Sequence, residues 1–546
     1  MGFPHLTSAP LMLDRLRMVT TPLRRWILSS AGACCLLASS SFAEIEFETV
    51  ARIGQPAAGV GGPFTFSSFR GHVLGPSGLV AFRAWTSGGN APEGIWAGYS
   101  APVGIVAQEY QPAPGAGGTS YNEFDVPLIN VANEIIYQAS ISPVTNGATG
   151  GLWFQQNGSA TYLPVGGQQA PGNGVGDNFT NIYKIVTAGT SAAFIARVAG
   201  PGISFGVNDE GIWAGRPGSL TLVAQQGDPA PGTTLNYGDL SYLQGNYTGT
   251  LAFNANLGPF STGIFAGAPG SVTAVVQEND PVFALPNVSY DQFSAVALAP
   301  NSSRLAFASR IKGTGVTGLN GTAIFAGLPG SFSMVTRQGD AAPGTEPGVL
   351  FGSFMVNLIS SAPHVADDGQ VTFLAPLTGP TVDATNDMGV WAGLSGSLKL
   401  VAREGFEVPG VPANLVFDTL DKPFMNPLGQ IAFHATLGGP GLDSTNDRGL
   451  WATDLAGDLL LVARTGDTID LGAGQIKTIS GLALNSWTAD NDGTQRIFNA
   501  NGQLLFAASF TDGSGGLFVA AIPEPTSAVT LSVLIAWLST RRRRLS

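Results

Sequence analysis

Between Glu44 and Ile522 the chain alternates short apolar runs with glycine- and proline-rich turns, and the alternation repeats. One run reads Gly-Ile-Trp-Ala-Gly or a close variant. Its aromatic residue falls at Trp96, Trp153, Trp213, Phe265, Phe325, Trp391, Trp451 and Phe518, in steps of 52 to 67 residues. A second run ends in an aromatic residue 12 to 19 positions earlier, at Phe82, Tyr137, Phe194, Phe253, Phe307, Phe373, Phe433 and Phe506. Its clearest form is Asn426-Pro427-Leu428-Gly429-Gln430-Ile431-Ala432-Phe433. A third run, such as Leu220-Thr221-Leu222-Val223-Ala224, follows the Trp run across an Ala-Gly-x-Pro-Gly-Ser link (Ala214 to Ser219), which has the chemistry of a β-hairpin turn. A Gly-Asp-x-Ala-Pro-Gly loop comes next, as at Gly227 to Gly232 and Gly339 to Gly344, and then a run with spaced phenylalanines, as at Phe351 and Phe354. With 74 glycines and 36 prolines interrupting it, no stretch of the repeat can propagate a helix.

Each unit thus predicts four short strands and no helix. Eight such units predict an all-β, eight-bladed β-propeller. The expected strand order in a blade places the spaced-Phe strand innermost, then the Asn-x-x-Gly strand, the Trp strand, and the Leu-Val-Ala strand outermost. The ends are complementary. Phe47-Glu48-Thr49-Val50-Ala51-Arg52 resembles the third run, and the chain passes Phe518 with no third run after it. The N-terminal strand is therefore expected to complete the last blade and remove two open sheet edges.

Composition sharpens this picture at the ends. Arg24 and Arg25 precede an apolar, small-residue stretch from Trp26 to Ala38, and Ser41-Phe42-Ala43 offers a signal-peptidase site, so cleavage is expected after Ala43. Met12 and Met18 are alternative starts, and a lipoprotein reading through Cys34 or Cys35 is weaker because little apolar sequence precedes them. At the other end Pro523-Glu524-Pro525 leads into an uncharged run (Val529 to Leu538) and then Arg541, Arg542, Arg543 and Arg544. That run is short against the ~20 apolar residues a spanning helix needs, although arginine stems can snorkel. The predicted organisation is a signal peptide at 1–43, a repeat domain at 44–522 and a C-terminal segment at 523–546. Between 44 and 525 there are 36 acidic and 17 basic residues, a net charge of −19. Such a balance excludes a nucleic-acid footprint and adhesion to anionic lipid. Both cysteines lie in the leader, so the repeat domain holds no disulfide.

The motif, apolar run and arginine cluster of the tail together resemble the PEP-CTERM sorting signal of Gram-negative surface proteins. The resemblance implies export, transient anchoring in the inner membrane, and release by an exosortase at Pro523-Glu524-Pro525, with signal peptidase acting at the other end. It also implies a cell-surface or extracellular location and an exopolysaccharide or a matrix protein as partner. The eightfold pattern over 44–521 resembles a bacterial tandem-repeat family defined by N-x-x-G-x-x-A-F, with varied surface anchors and no implied activity. The expectation is a binding or scaffolding protein, with a propeller-based polysaccharide hydrolase or lyase as the alternative.

Candidate chemistry is sparse. An aromatic in every unit suits inter-blade core better than a sugar-stacking ladder. His72, His364 and His434 are far apart, and His434 is expected on the surface of its strand. The formal G-x-S-x-G match at Gly202 to Gly206 lacks a following helix and reads as a loop. No residue qualifies as catalytic. Asn-Asp pairs precede the Trp strand at Asp209, Asp387 and Asp447, two of them in inserts that also hold Asp383 and Asp443, and Gly-Asp loops carry Asp228, Asp340 and Asp467. Alternate strand connections share a side, so both loop classes should emerge on one acidic face. Carboxylate and carbonyl oxygens there suit Ca²⁺; turns closed by Asn and Asp are the competing explanation.

Overall fold

The computed structural model describes residues 45–524 except 89–91, 146–147, 259–260, 284, 355–361, 473 and 485–496. The cleavage position Ala43, Pro525 and the Arg541–Arg544 cluster lie outside the described residues. Among the described residues no helix is long and apolar enough to cross a membrane.

Eight antiparallel sheets form an eight-bladed propeller. Blade 1 runs Thr65–Leu74, Val80–Ser87, Glu93–Gly98 and Gly104–Gln108 in spatial as well as chain order. The first strands are innermost, because they touch one another in sequence around the ring: Leu128–Ile129 meets Asn178–Ala188, which meets Tyr237–Gly245, and so on to Phe424–Met425. The last blade is closed as expected. Glu46–Arg52 pairs antiparallel with Gly515–Ala521, which pairs with Gln503–Phe510.

The repeated motifs each have a physical reason. The five tryptophans of the third strands are fully buried. In blade 1 the Trp96 ring stacks on Phe82 (6.3 Å, 17°) and meets Phe66 edge-on (5.0 Å). Its indole Nε1 donates to Ala58 O at 3.0 Å, in the link preceding the blade. Trp213 donates to Pro171 O and Trp391 to Pro343 O in the same way. A polar N–H in the core is thereby satisfied, and the Ala-Pro-Gly link is tied to the blade that follows it. The glycine two residues earlier is obligatory: a Cβ on Gly389 would sit 2.5 Å from the Trp391 ring.

The asparagine of Asn-x-x-Gly works in two directions. Asn246 Oδ1 accepts the Thr248 and Thr250 amides and so closes the turn between first and second strands. Its Nδ2 donates to Ala299 O and Ser302 O of the next blade. Asn130, Asn426 and Asn499 make the same latch to Thr190 O, Asn499 O and Gly75 O. This face of the ring, built from the first–second and third–fourth connections, is therefore stitched blade to blade. The opposite face, built from the second–third and fourth–first connections, carries the long links and is called the loop face below.

Candidate functional site

The Asn-Asp and Gly-Asp loops do share the loop face, and within a blade they touch. Gly227 lies against Val207 and Asn208, Gly405 against Thr385 and Asn386, and Gly466 against Asn446. Their polar groups are spent locally. Asn386 Oδ1 accepts the Asp383 amide while its Nδ2 donates to Thr381 O. Asn446 and Asn208 close their loops alike. Asp383 and Asp443 each accept the amide and hydroxyl of the threonine two residues on.

The six aspartates singled out from the sequence are distributed as follows. Asp209 accepts the Gly206 amide at 2.6 Å and lies 3.9 Å from Arg197. Asp387 pairs with Glu404 in its own blade. Asp447 gives its backbone oxygen to Leu437 N and, among the described residues, has one buried carboxylate oxygen without a partner. Asp340 accepts the Arg337 amide at 2.7 Å. Asp228 and Asp467 stand exposed beside their turns, and the desolvation left to them there raises both above the usual aspartate range. Among the described residues no three His, Cys, Asp or Glu side chains gather around one point where a metal ion could be held. The Gly202–Gly206 segment is a loop, as expected. His434 differs from expectation: it is half-buried, 3.9 Å from Asp421, which follows the first strand of its own blade and donates its amide to His434 O.

That position exposes what motif reading missed. Residues following the second-strand aromatic point at the next blade, and at the seam between blades 1 and 2 they are Arg83 and Trp85. Arg83 pairs with Glu93, which is 6% exposed, donating Nη2 to Oε2 at 3.0 Å. Glu93 in turn donates its amide to Glu109 at 2.9 Å. Glu123, on the first strand of blade 2, and Asp125, just past its end, add two carboxylates to the field of Arg83; burial lowers the guanidinium and these acids oppose the shift. Burial raises the Glu109 carboxyl above its ordinary range and Glu123 adds to this, while Arg83 pulls it down. Above this network sits Trp85, 44% exposed, with the Arg70 guanidinium 4.5 Å over its ring. A chain with only 11% charged residues places six of them here.

Tyr110 completes the seam. It begins the link to blade 2 with φ of 65° and is 65% exposed. The equivalent residues of the other blades are Gly54, Gly167, Gly227, Asn279, Gly339, Gly405 and Gly466, all at positive φ. A bulky side chain in this conformation is strained by about 1–3 kcal/mol. Strain that buries nothing marks a position held for something other than stability.

The chain belongs to the family of unknown function DUF7453, which matches it twice, over residues 43–262 and 257–529. No curated protein matches the chain. Among solved structures it is similar to the β-propeller domain of the trilobed protease from Pyrococcus furiosus, with 10% identity over 74% of this chain and 100% of that one at a TM-score of 0.34. It is similar to a puromycin-hydrolysing peptidase of Mycobacterium tuberculosis at 11% identity and a TM-score of 0.36, covering 81% of this chain but only 58% of that one. An ulvan lyase of polysaccharide lyase family PL25 is similar at 7% identity over 87% of this chain and 95% of that one, with a TM-score of 0.31.

Proposed function

We propose that this DUF7453 member is an exported propeller of the cell surface or extracellular matrix, and that it binds polysaccharide at the seam between blades 1 and 2. The observation that carries the reading is Tyr110, a strained and exposed ring at a glycine position, set beside Glu109, whose amide meets the carbonyl of Glu93, the strand partner of exposed Trp85. Flat aromatic faces take the C–H side of a sugar ring, and a few convergent polar groups fix its hydroxyls. Glu123 and Asp125 accept from hydroxyls, and Arg70 donates. Export rests on the Arg24-Arg25 leader with its cleavage site after Ala43, and on Pro523-Glu524-Pro525 with its arginine cluster. Signal peptidase and an exosortase are the processing partners, and contact with the inner membrane is transient.

The test is calorimetric titration of the mature protein with exopolysaccharide from the producing cells. Trp85→Ala and Tyr110→Ala are each expected to weaken binding about tenfold or more, as losing a well-placed ring contact does. Wild-type affinity in both variants overturns the reading. Intact mass of the secreted protein tests the address: a surface form still ending at Ser546 refutes exosortase release.

One observation favours a second reading as hydrolase or lyase. A carboxyl raised by burial beside another carboxylate, as Glu109 is beside Glu123, is what a general acid requires. Release of new sugar ends from the same polysaccharide, abolished by Glu109→Gln, would move the protein to that class.

A further inference from the structure

The loop face has two unlike sectors. Exposed rings and large aliphatics stand on the links of blades 1 to 5, among them Tyr110, Val175, Phe205, Phe283 and Leu319. Over blades 6 and 7 the same links include the Asp- and Thr-rich inserts already described, and among the described residues none of the exposed large hydrophobic side chains lies there. Two blades round from the first seam, the slot of Trp85 is filled by Arg197, three residues after the aromatic Phe194 as Trp85 is after Phe82. Arg197 points at blade 4 and carries a ring of its own: its guanidinium lies 5.4 Å over Phe205, which is 81% exposed.

The loop presenting Phe205 is built, not slack. Asp209 takes the Gly206 amide, Asn208 takes the Ser204 amide and donates to Gly202 O, and Asp177 takes the Gly202 amide at 3.0 Å. Hydrogen bonds on both sides thus fix a phenylalanine that buries almost nothing. Beneath it Glu210 is buried, accepting the Tyr183 hydroxyl and, at 2.7 Å, the Leu240 amide of blade 4. The elements of the first seam recur: an exposed ring, an arginine against its face, and carboxylates at the joint. A fixed ring loses little freedom on binding, which is the advantage of preorganisation.

We infer that Phe205 and Arg197 form a second sugar-stacking platform, and that the ligand is a glycan chain long enough to bridge blades 1 and 3, a quarter of the eight-bladed ring. The inference rests on the polysaccharide reading of the first seam and specifies its ligand: a polymer engaged twice, whose second contact is intramolecular and raises affinity by effective concentration.

The experiment compares intact exopolysaccharide from the producing cells with fragments of about four sugars cut from it, by calorimetry on the mature protein. Wild type should take two fragments per molecule and bind intact polymer about 10²-fold more tightly than a fragment, the lower end of the gain from bivalency. Phe205→Ala and Trp85→Ala should each take one fragment and lose that excess. Phe205 is exposed, so an unchanged melting midpoint is expected and verifies folding. If Phe205→Ala binds polymer like wild type and wild type takes one fragment, the second platform is refuted while the first seam stands. Two fragments without tighter polymer binding refutes bridging. If wild type binds neither form, the first-seam reading falls and this inference with it.

Discussion

The seam between blades 1 and 2 and the seam between blades 6 and 7 occupy the same place in the repeat and have opposite outcomes. In both, the residue after the fourth strand is a glutamate whose carboxylate accepts the amide that starts the third strand: Glu109 takes Glu93 N, and Glu404 takes Met388 N. At blades 1 and 2 the second–third link is short, spanning 88–92, and Arg83 supplies a cation. The next link opens with Tyr110, whose side chain stands 65% exposed. At blades 6 and 7 the link spans 379–387 and folds against Gly405, where a Cβ would crowd Thr385 O at 3.2 Å. Among the described residues no cation shifts the acid; Glu404 faces Asp387 instead. Burial, then the charge of Asp387 and a hydrogen bond to it, push Glu404 up to about 7, against the pull of the Met388 and Leu420 amides. The lesson is that one backbone slot becomes an open polar cleft or a sealed joint according to the length of one loop and the sign of one neighbour.

The sharpest break of this contrast removes the cation. Arg83→Ala leaves Glu93 buried and unpaired, so a loss of about 3–5 kcal/mol is expected in denaturant unfolding at pH 7. A loss under about 1 kcal/mol would mean that the first seam is as neutral as the sixth. Next in size is Glu404→Gln. Because the folded carboxyl titrates near 7 against an ordinary 4.5, its ionisation penalises the native state. Stability from this group is full below pH 4.5 and is lost as pH rises towards 7. The glutamine variant should therefore match wild type at pH 4.5 and exceed it by up to about 3 kcal/mol at pH 8. Melting curves at the two pH values decide it; equal midpoints at pH 8 would deny the pairing with Asp387.

Tyr110→Gly should act on the first seam alone. Relief of the positive φ is expected to stabilise by about 1 kcal/mol while polysaccharide binding falls, a trade of stability for function. Stabilisation without loss of binding would leave the strain unexplained. The smallest effect concerns the aspartates of the loop face. With no three of these acids gathered around one point among the described residues, Ca²⁺ should raise the midpoint no more than Mg²⁺ at matched ionic strength. A Ca²⁺-specific rise that Asp387→Ala and Asp447→Ala remove would restore a defined ion site.

Part of the candidate site is legible in the repeat alone. Aligning the eight units puts Tyr110 in a column otherwise made of glycine and one asparagine, and that departure flags it. Trp85 is equally visible as a tryptophan outside the repeated Trp motif. Glu109 and Glu404 give no such signal, because a Gln-Glu or Arg-Glu pair at the end of a strand looks like solvated surface. Only the seam shows that the glutamate turns inward to meet a third-strand amide.

The sequence by itself determined the blade count, the strand order, the closure by Glu46–Arg52 and the aromatic core. Those features depend on local runs of about five residues and on a repeat, both of which are linear properties of the chain. Tertiary structure alone decided which polar groups meet. Arg83 and Asp125 are 42 positions apart, and Asp387 and Glu404 are 17 apart across a link whose length varies from blade to blade. Electrostatics depends on distance and burial at the seam, and neither follows from spacing along the chain.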